Sequence, residues 1–236
     1  MAWRFRWKRR GYIGGDNFKT TMKTKTKITC LFLDIGGVLL TNGWDHHARR
    51  RAALFFKLDR AELEARHQLN FATLEEDRLP LAEYLNRVVF YEKRDFTRAE
   101  FRRFMFAQSK PVAGMIGLIR RLKARYGLKI VVVSNEAREL NAHRIREFKL
   151  AGFVDAFVSS CFVGVRKPDV EIFRLALDLA QAPVEQVVYI EDSLMFVQVA
   201  AELGIQGIRH VDYEGTRAAL AALGLRDEEG GSDESR

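Results

Sequence analysis

Six polar side chains stand at or just beyond the ends of short apolar runs in this sequence. They are Asp34 in FLDIGGVLL, Ser134 and Asn135 in VVVSNEAREL, Lys167 in GVRKPDVEIF, and Glu191 and Asp192 in VVYIEDSLMF. In a doubly wound parallel sheet, ligands bind outside the carboxyl ends of the strands. If the apolar runs are strands of such a sheet, the six side chains would share one site.

These residue types form a set that can transfer a phosphoryl group. Asp34 would attack phosphorus and form an aspartyl phosphate. Ser134, Asn135 and Lys167 would hold the phosphoryl oxygens and offset their negative charge. Asp34 and Asp192 would bind a hard cation through carboxylate oxygens, which favours Mg²⁺.

Each position also has a purely structural interpretation. Asp34 would then be an ordinary turn residue, and Lys167 would be a solvated cation before a helix. The other four polar residues would cap the helices that follow them. The occurrence of all six in this order, each at a strand end, favours the shared site.

Five short apolar runs predict the strands that would position these residues. They cover residues 28–33, 129–133, 154–158, 187–190 and 206–211, and they are rich in β-branched and aromatic side chains. Helical patterns lie between or after them at residues 112–126, 136–148, 169–181, 193–203 and 214–223. This alternation predicts an α/β fold, a Rossmann-like parallel five-stranded sheet with helices on both faces.

The long interval between the first two predicted strands indicates an insertion. Residues 44–110 are helix-patterned, with Asp59 and Thr97 as expected N-caps and Glu100 completing a capping box. We therefore predict an inserted cap domain of about four helices over residues 44–110. The Rossmann-like core would then comprise residues 28–43 and 111–225.

The positive charge is concentrated near the amino terminus. The chain has 236 residues and a formal net charge of +8. Residues 1–30 carry nine lysine and arginine residues and one acidic residue, Asp16, so they account for the whole excess. Because the remainder is neutral, we expect no nucleic-acid partner for the folded body.

The two ends of the chain differ in composition from the rest. We predict that residues 1–27 form a basic, disordered leader, with Met22 as an alternative start, and that residues 226–236 form an acidic, disordered tail. The leader lacks the apolar run of a signal peptide, and no stretch is long enough to span a membrane. Cys30 and Cys161 lie in apolar surroundings, so we expect buried thiols and a cytoplasmic protein.

The order of these motifs resembles that of the haloacid dehalogenase superfamily over residues 28–225. RKPDVEIF is similar to that superfamily's Lys-Pro-Asp motif, and YIEDS is similar to the acidic fourth motif of its phosphatase and phosphomutase branches. The resemblance implies a mobile helical (type 1) cap that closes over small substrates. It also implies that Glu191 and Asp192 bind the metal ion, together with Asp34 and the backbone carbonyl of Gly36.

The sequence departs from the superfamily pattern at Gly36. Phosphatases of the superfamily usually carry Asp-x-Asp, and the second Asp protonates the leaving oxygen and later activates water. General acid/base help contributes about 10²–10⁴ in rate, so its loss should select for good leaving groups, as in acyl or anomeric sugar phosphates. Asp45, His46 and His47 are candidate substitutes, or else solvated residues at a helix start.

We therefore expect a Mg²⁺-dependent phosphoric-monoester hydrolase that acts on a small phosphorylated metabolite. Two alternatives stay open: a catalytically weak or inactive regulatory member of the superfamily, and a 2-haloacid dehalogenase. The dehalogenase is disfavoured because DIGGV lacks the aromatic residue of that branch's first motif. The sequence carries no recognisable code for the substrate or for the oligomeric state.

Overall fold

The computed structural model describes residues 26–227. Residues 1–25 and 228–236 lie outside the described residues, and with them nearly all of the predicted leader and tail. Asp227 belongs to the predicted acidic tail, yet it is buried, and its carboxylate accepts hydrogen bonds from Arg121 and Arg217. The packed chain therefore continues to Asp227, two residues past the predicted end of the core at residue 225.

Within residues 26–227, five parallel strands form one sheet. They are β1 (Cys30–Leu33), β2 (Lys129–Ser134), β3 (Ala156–Ser159), β4 (Val187–Glu191) and β5 (Gln206–Arg209). Their order across the sheet is β3-β2-β1-β4-β5, and every neighbouring pair is parallel. The prediction of a Rossmann-like α/β fold with a five-stranded parallel sheet is confirmed.

Ten α-helices are found in residues 26–227. Four lie between β1 and β2, namely α1 (His46–Phe55), α2 (Arg60–Glu75), α3 (Leu81–Val88) and α4 (Arg98–Phe106), and α5 (Met115–Tyr126) follows them. The others are α6 (Arg138–Glu147), α7 (Ser160–Val163), α8 (Glu171–Ala180), α9 (Leu194–Glu202) and α10 (Tyr213–Ala222). None of these helices is both long and apolar enough to cross a bilayer.

Alternate side chains of a strand point to opposite faces of the sheet. In the central strands, the side chains on both faces are buried. In β1, Leu31 and Leu33 join one hydrophobic cluster, while Cys30 and Phe32 join the other. Helices α5 and α10 cover the first cluster, and α8 and α9 cover the second. A shift of the pairing register of β1 by one residue would move each of its side chains to the opposite face of the sheet. Burial therefore fixes the register of β1 and the position of the residue that follows it.

The buried side chains of helices α1 to α4 form a separate hydrophobic cluster. Ala137 and Leu140, near the start of α6, pack into the same cluster. The side chain of Asp59 accepts from the backbone N–H of Glu62 at the start of α2. Thr97 forms the predicted capping box with Glu100 at the start of α4. The boundaries and the mobility of a separate cap domain stay predictions.

The chain enters and leaves this four-helix insertion through two adjacent segments. The backbone N–H of Thr41 donates to the carbonyl of Lys110 at 2.7 Å, and Thr41 Oγ1 accepts from the N–H of Lys110 at 2.9 Å. Arg144 of α6 binds both segments, since its Nε donates to Ser109 Oγ at 3.0 Å and its Nη2 donates to the Thr41 carbonyl at 3.2 Å. The insertion is thus attached through a paired linker that is fixed to α6.

Candidate active site

Asp34 lies at the point of the sheet where ligands usually bind. The sheet grows from β1 in both directions, so the strand order reverses beside β1 and opens a crevice at the carboxyl ends. Asp34 follows β1 there, is 7% exposed, and its Oδ1 accepts from the backbone N–H of Ile35 at 2.8 Å. Burial raises the pKa of Asp34 to about 6, although the positive charge of Lys167 opposes the rise.

Lys167 is a buried cation between two carboxylates. Its Nζ lies 2.6 Å from Glu191 Oε2 and 3.2 Å from Asp34 Oδ2, and it donates to the hydroxyl of Tyr189 at 3.1 Å. Burial by itself would lower the pKa of Lys167, but Asp34 and Glu191 raise it above its usual value. Lys167 is 1% exposed, so its interpretation as a solvated residue is wrong. The structure instead places a charged ammonium against Asp34.

Ser134 and Asn135 reach the same cavity from the end of β2. Ser134 Oγ donates to Glu136 Oε1 at 3.2 Å. Asn135 Nδ2 donates to the carbonyl of Lys167 at 2.9 Å, and its Oδ1 accepts from the N–H of Lys167 at 2.8 Å. Asn135 therefore positions Lys167, a role that the sequence did not indicate. Neither residue caps α6, whose N-cap is Ala137, so that alternative interpretation is wrong.

Three carboxylates converge beside this lysine. Asp34, Glu191 and Asp192 each place an oxygen within 4.8 Å of the other two, and Gly36 lines the same cavity. An all-oxygen donor set of this kind fits Mg²⁺ better than a softer metal ion. Glu191 Oε1 also accepts from the N–H of Ser193 at 3.0 Å, at the start of α9. Its second carboxylate oxygen is the one that pairs with Lys167.

Gly36 has room for a side chain if one neighbour moves. The next residue, Gly37, has a φ of 73°, but the φ of Gly36 lies outside the left-handed region. A Cβ built on Gly36 would lie 2.5 Å from Asn42 Oδ1. Asn42 is exposed, and this atom is the end of a flexible side chain. The backbone at residue 36 can therefore accept an Asp once Asn42 shifts.

The candidate substitutes for the missing acid lie at the start of α1. Asp45 lines the cavity, and its Oδ1 accepts from the N–H of Ala48 at 2.7 Å as the N-cap of α1. His46 and His47 are exposed and do not line the cavity. The two histidines therefore fit the interpretation as solvated helix-start residues.

A cavity of about 310 Å³ extends from Asp34 to the four-helix insertion. Its far walls carry ionisable residues that no sequence motif indicated, among them His67, Glu75, Glu136, Arg144 and Arg166. His67 and Glu75 reach the site only when the insertion packs against the sheet, and Arg144 reaches it from α6. Glu136 and Arg166 are close in sequence to predicted site residues, since Glu136 follows Ser134 by two residues and Arg166 directly precedes Lys167.

Comparison with known proteins places the chain in a family. A family model for haloacid dehalogenase-like hydrolases matches residues 28–204. The chain belongs to this family. The resemblance seen in the sequence is thereby confirmed, and the fold of the haloacid dehalogenase-like hydrolases accounts for the sheet order and for the crevice beside β1.

One relative and several solved structures add detail to this placement. A sesquiterpene phosphatase of Aspergillus oryzae is 27% identical over 115 residues, a match that covers 48% of this chain and 58% of the relative. The match thus spans little more than half the length of that relative. A predicted haloacid dehalogenase-like hydrolase from Porphyromonas gingivalis superposes with a TM-score of 0.70 at 20% identity, over 86% of this chain and 100% of the other.

Two further structures share the fold and carry different ligands. An enzyme of the family from Bacteroides thetaiotaomicron, in complex with magnesium and inorganic phosphate, has a TM-score of 0.63 at 20% identity, over 77% of this chain and 93% of the other. The L-2-haloacid dehalogenase of Xanthobacter autotrophicus has a TM-score of 0.57 at 14% identity, over 85% of each chain. At such identities the likeness shows the fold alone.

Proposed function

We propose that this hydrolase is a Mg²⁺-dependent phosphatase that acts through an aspartyl phosphate on a small phosphorylated metabolite. The observation that carries the proposal is the buried ammonium of Lys167, 3.2 Å from Asp34 Oδ2, beside three carboxylates whose oxygens converge within 4.8 Å. A dehalogenase that expels halide has no use for a metal-binding acid cluster. The phosphatase relative and the neighbour that binds magnesium and phosphate support the same assignment.

The residues of the site divide the reaction between them. A carboxylate oxygen of Asp34 attacks phosphorus, the bond from phosphorus to the leaving oxygen breaks, and an aspartyl phosphate forms. Water then attacks phosphorus, which releases inorganic phosphate and restores the Asp34 carboxylate. Lys167 and Ser134 hold phosphoryl oxygens in both steps, and Asn135 keeps Lys167 in place.

The site also fits a metal ion that would assist this chemistry. Asp34, Glu191, Asp192 and the carbonyl of Gly36 would hold Mg²⁺, which supplies positive charge next to the phosphoryl group. Because Gly36 provides no acid for the leaving oxygen, the proposed substrates are phosphates with good leaving groups. We assign residues 44–110 as the cap that covers them and residues 28–43 and 111–225 as the core.

A direct test is phosphate release from acetyl phosphate by the purified protein. We expect turnover with MgCl₂ and loss of turnover when EDTA removes the metal, with activity restored by added Mg²⁺. The same protein should release no chloride from 2-chloropropionate. Turnover that persists in EDTA, or chloride release in its place, would contradict the proposal.

Replacing Gly36 by Asp should broaden the range of substrates. The new carboxyl can protonate a leaving alkoxide, so simple alkyl phosphates should gain about 10²-fold or more in kcat/KM. Acetyl phosphate should gain little, because acetate leaves without a proton. The measurement is kcat/KM for both substrate classes in the parent and in Gly36→Asp.

Gly36→Asn is the matched control, since it has the same shape but no acidic proton. It should show no gain on alkyl phosphates. Circular dichroism and thermal unfolding should establish that both variants fold, because Asn42 must move to admit either side chain. A well-folded Gly36→Asp protein without any gain, beside a parent that binds Mg²⁺ but turns nothing over, would favour the non-catalytic alternative.

A further inference from the structure

His67 of α2 belongs to a buried hydrogen-bonded chain at the wall of the cavity. Trp44 Nε1 donates to the hydroxyl of Tyr84 at 2.8 Å, and this hydroxyl lies 2.8 Å from His67 Nδ1. Trp44 can only donate, so the proton of the fully buried Tyr84 has His67 Nδ1 as its acceptor in this chain. We therefore assign the His67 tautomer that carries its proton on Nε2.

The Nε2 edge of His67 is left for a ligand. The ring stacks on Phe71 at a centroid distance of 5.3 Å, and Tyr84 occupies the Nδ1 edge. Among residues 26–227 no hydrogen-bond partner of His67 Nε2 is found, and the residue lines the cavity. The insertion thus presents one N–H donor to whatever occupies the space next to the phosphate site.

This donor is uncharged. Burial lowers the pKa of His67 to about 3, and the positive charge of Arg49 lowers it further. The imidazole is neutral at physiological pH, so it offers a hydrogen bond and cannot replace the missing general acid. A neutral donor suits a hydroxyl, ether or carbonyl oxygen of a ligand.

The basic residues around the cavity are already paired. Arg49 binds Glu64 at 2.7 Å, Arg144 binds Glu136 at 2.5 Å, and Arg166 binds Glu75 at 2.8 Å. Lys167, the remaining lysine or arginine that lines the cavity in the described part of the chain, is held by Asp34 and Glu191. Beyond the phosphate itself, a second anionic group on the substrate would find no unpaired cation among the residues of 26–227 that line the cavity.

We propose that His67 is a specificity-determining residue that donates its Nε2–H to an oxygen of an uncharged leaving group. The substrate class is then a small monophosphate of a neutral, oxygen-bearing molecule, and phosphates with a second anionic group or a plain hydrocarbon group are rejected. The cavity of about 310 Å³ lies at the low end of ligand pockets. This inference rests on the proposed phosphatase function and deepens it.

The test is ligand binding in a protein that cannot turn the ligands over. Calorimetry on Asp34→Asn with Mg²⁺ would compare glucose 1-phosphate, cyclohexyl phosphate and glucose 1,6-bisphosphate. The first is neutral and hydroxylated, the second presents only hydrocarbon, and the third adds a second phosphate. We expect the first to bind about tenfold or more tightly than either of the others, because an unpaired buried donor and an unpaired charge both weaken binding.

Substitutions of His67 in the same background separate recognition from structure. His67→Phe should bring the affinity for glucose 1-phosphate down to that for cyclohexyl phosphate. His67→Gln keeps an N–H donor, so it should preserve most of the difference in affinity between these two ligands. Inorganic phosphate should bind equally to all three proteins. Equal affinity for the three ligands, or a loss of phosphate binding together with sugar phosphate binding in His67→Phe, would overturn the inference.

The outcome also distinguishes this inference from the phosphatase proposal. If His67→Phe does not fold, the order of ligand affinities in Asp34→Asn and in its His67→Gln derivative still tests whether His67 recognises the leaving group. A His67-dependent preference in a protein whose parent hydrolyses no phosphate would support the binding role and contradict the phosphatase. Mg²⁺-dependent turnover of acetyl phosphate without that preference would support the phosphatase and contradict the binding role of His67.

Discussion

The variant Asp34→Asn should lose phosphatase activity by about 10⁴-fold or more, because it removes the proposed nucleophile. Asn keeps the shape of the side chain and can still accept the hydrogen bond from Ile35. Its amide oxygen, however, cannot form a stable bond to phosphorus. Phosphate release from acetyl phosphate with saturating Mg²⁺ is the measurement.

Two comparisons make this loss interpretable. Asp178→Asn is the matched control, since Asp178 lies on α8 with an exposed side chain, and it should keep the parent rate. The thermal midpoint of Asp34→Asn should equal or exceed that of the parent, because the substitution removes a buried carboxylate. Parent-like turnover in Asp34→Asn would show that no aspartyl phosphate forms.

Lys167→Met should impair both activity and stability. Methionine has a similar length but no charge, so the phosphoryl oxygens lose their cation and the rate should fall by about 10³-fold. The substitution also leaves Asp34 and Glu191 buried without the ammonium that lies between them. Removing one partner of a buried ion pair costs about 3–5 kcal/mol. We therefore expect a lower free energy of unfolding in urea together with the loss of turnover.

Lys123→Met is the control for the predicted loss of stability. Lys123 pairs with Asp155 at 2.6 Å on a partly exposed face of the sheet edge. Such pairs are worth about 1 kcal/mol or less, so this variant should remain close to the parent in stability and in activity. An unfolding midpoint of Lys167→Met equal to that of Lys123→Met would argue against the buried ion pair.

The sheet could be predicted because its signals are local. Strands β1, β2 and β4 are short apolar runs bounded by polar or glycine residues, and each strand boundary lies within two residues of its prediction. Asp34 and Asp192 could be identified for the same reason, since each stands just after such a run. Helix α7, with four residues, is too short to show any periodicity and was not predicted.

The remaining features of the site depend on distant parts of the chain. The burial of Lys167, which lies beyond α7, follows from its packing between Asp34, Asn135 and Glu191 at the ends of β1, β2 and β4. The accessible nitrogen of His67 depends on Tyr84 from the next helix and on Trp44 from the linker before α1. Sequence spacing reveals none of these contacts, because they exist only after the elements have packed.

The paired linker at Thr41 and Lys110 has a consequence for how such a protein can change over evolutionary time. The insertion leaves the core and returns to it at neighbouring positions, so it is a loop whose two ends are already held together. Doubling the length of a loop costs only about 0.6 kcal/mol in closure entropy. One contiguous stretch of coding sequence can therefore be lengthened, shortened or exchanged without disturbing the carboxylates beneath it. Substrate choice and bond-breaking chemistry are thus free to evolve separately.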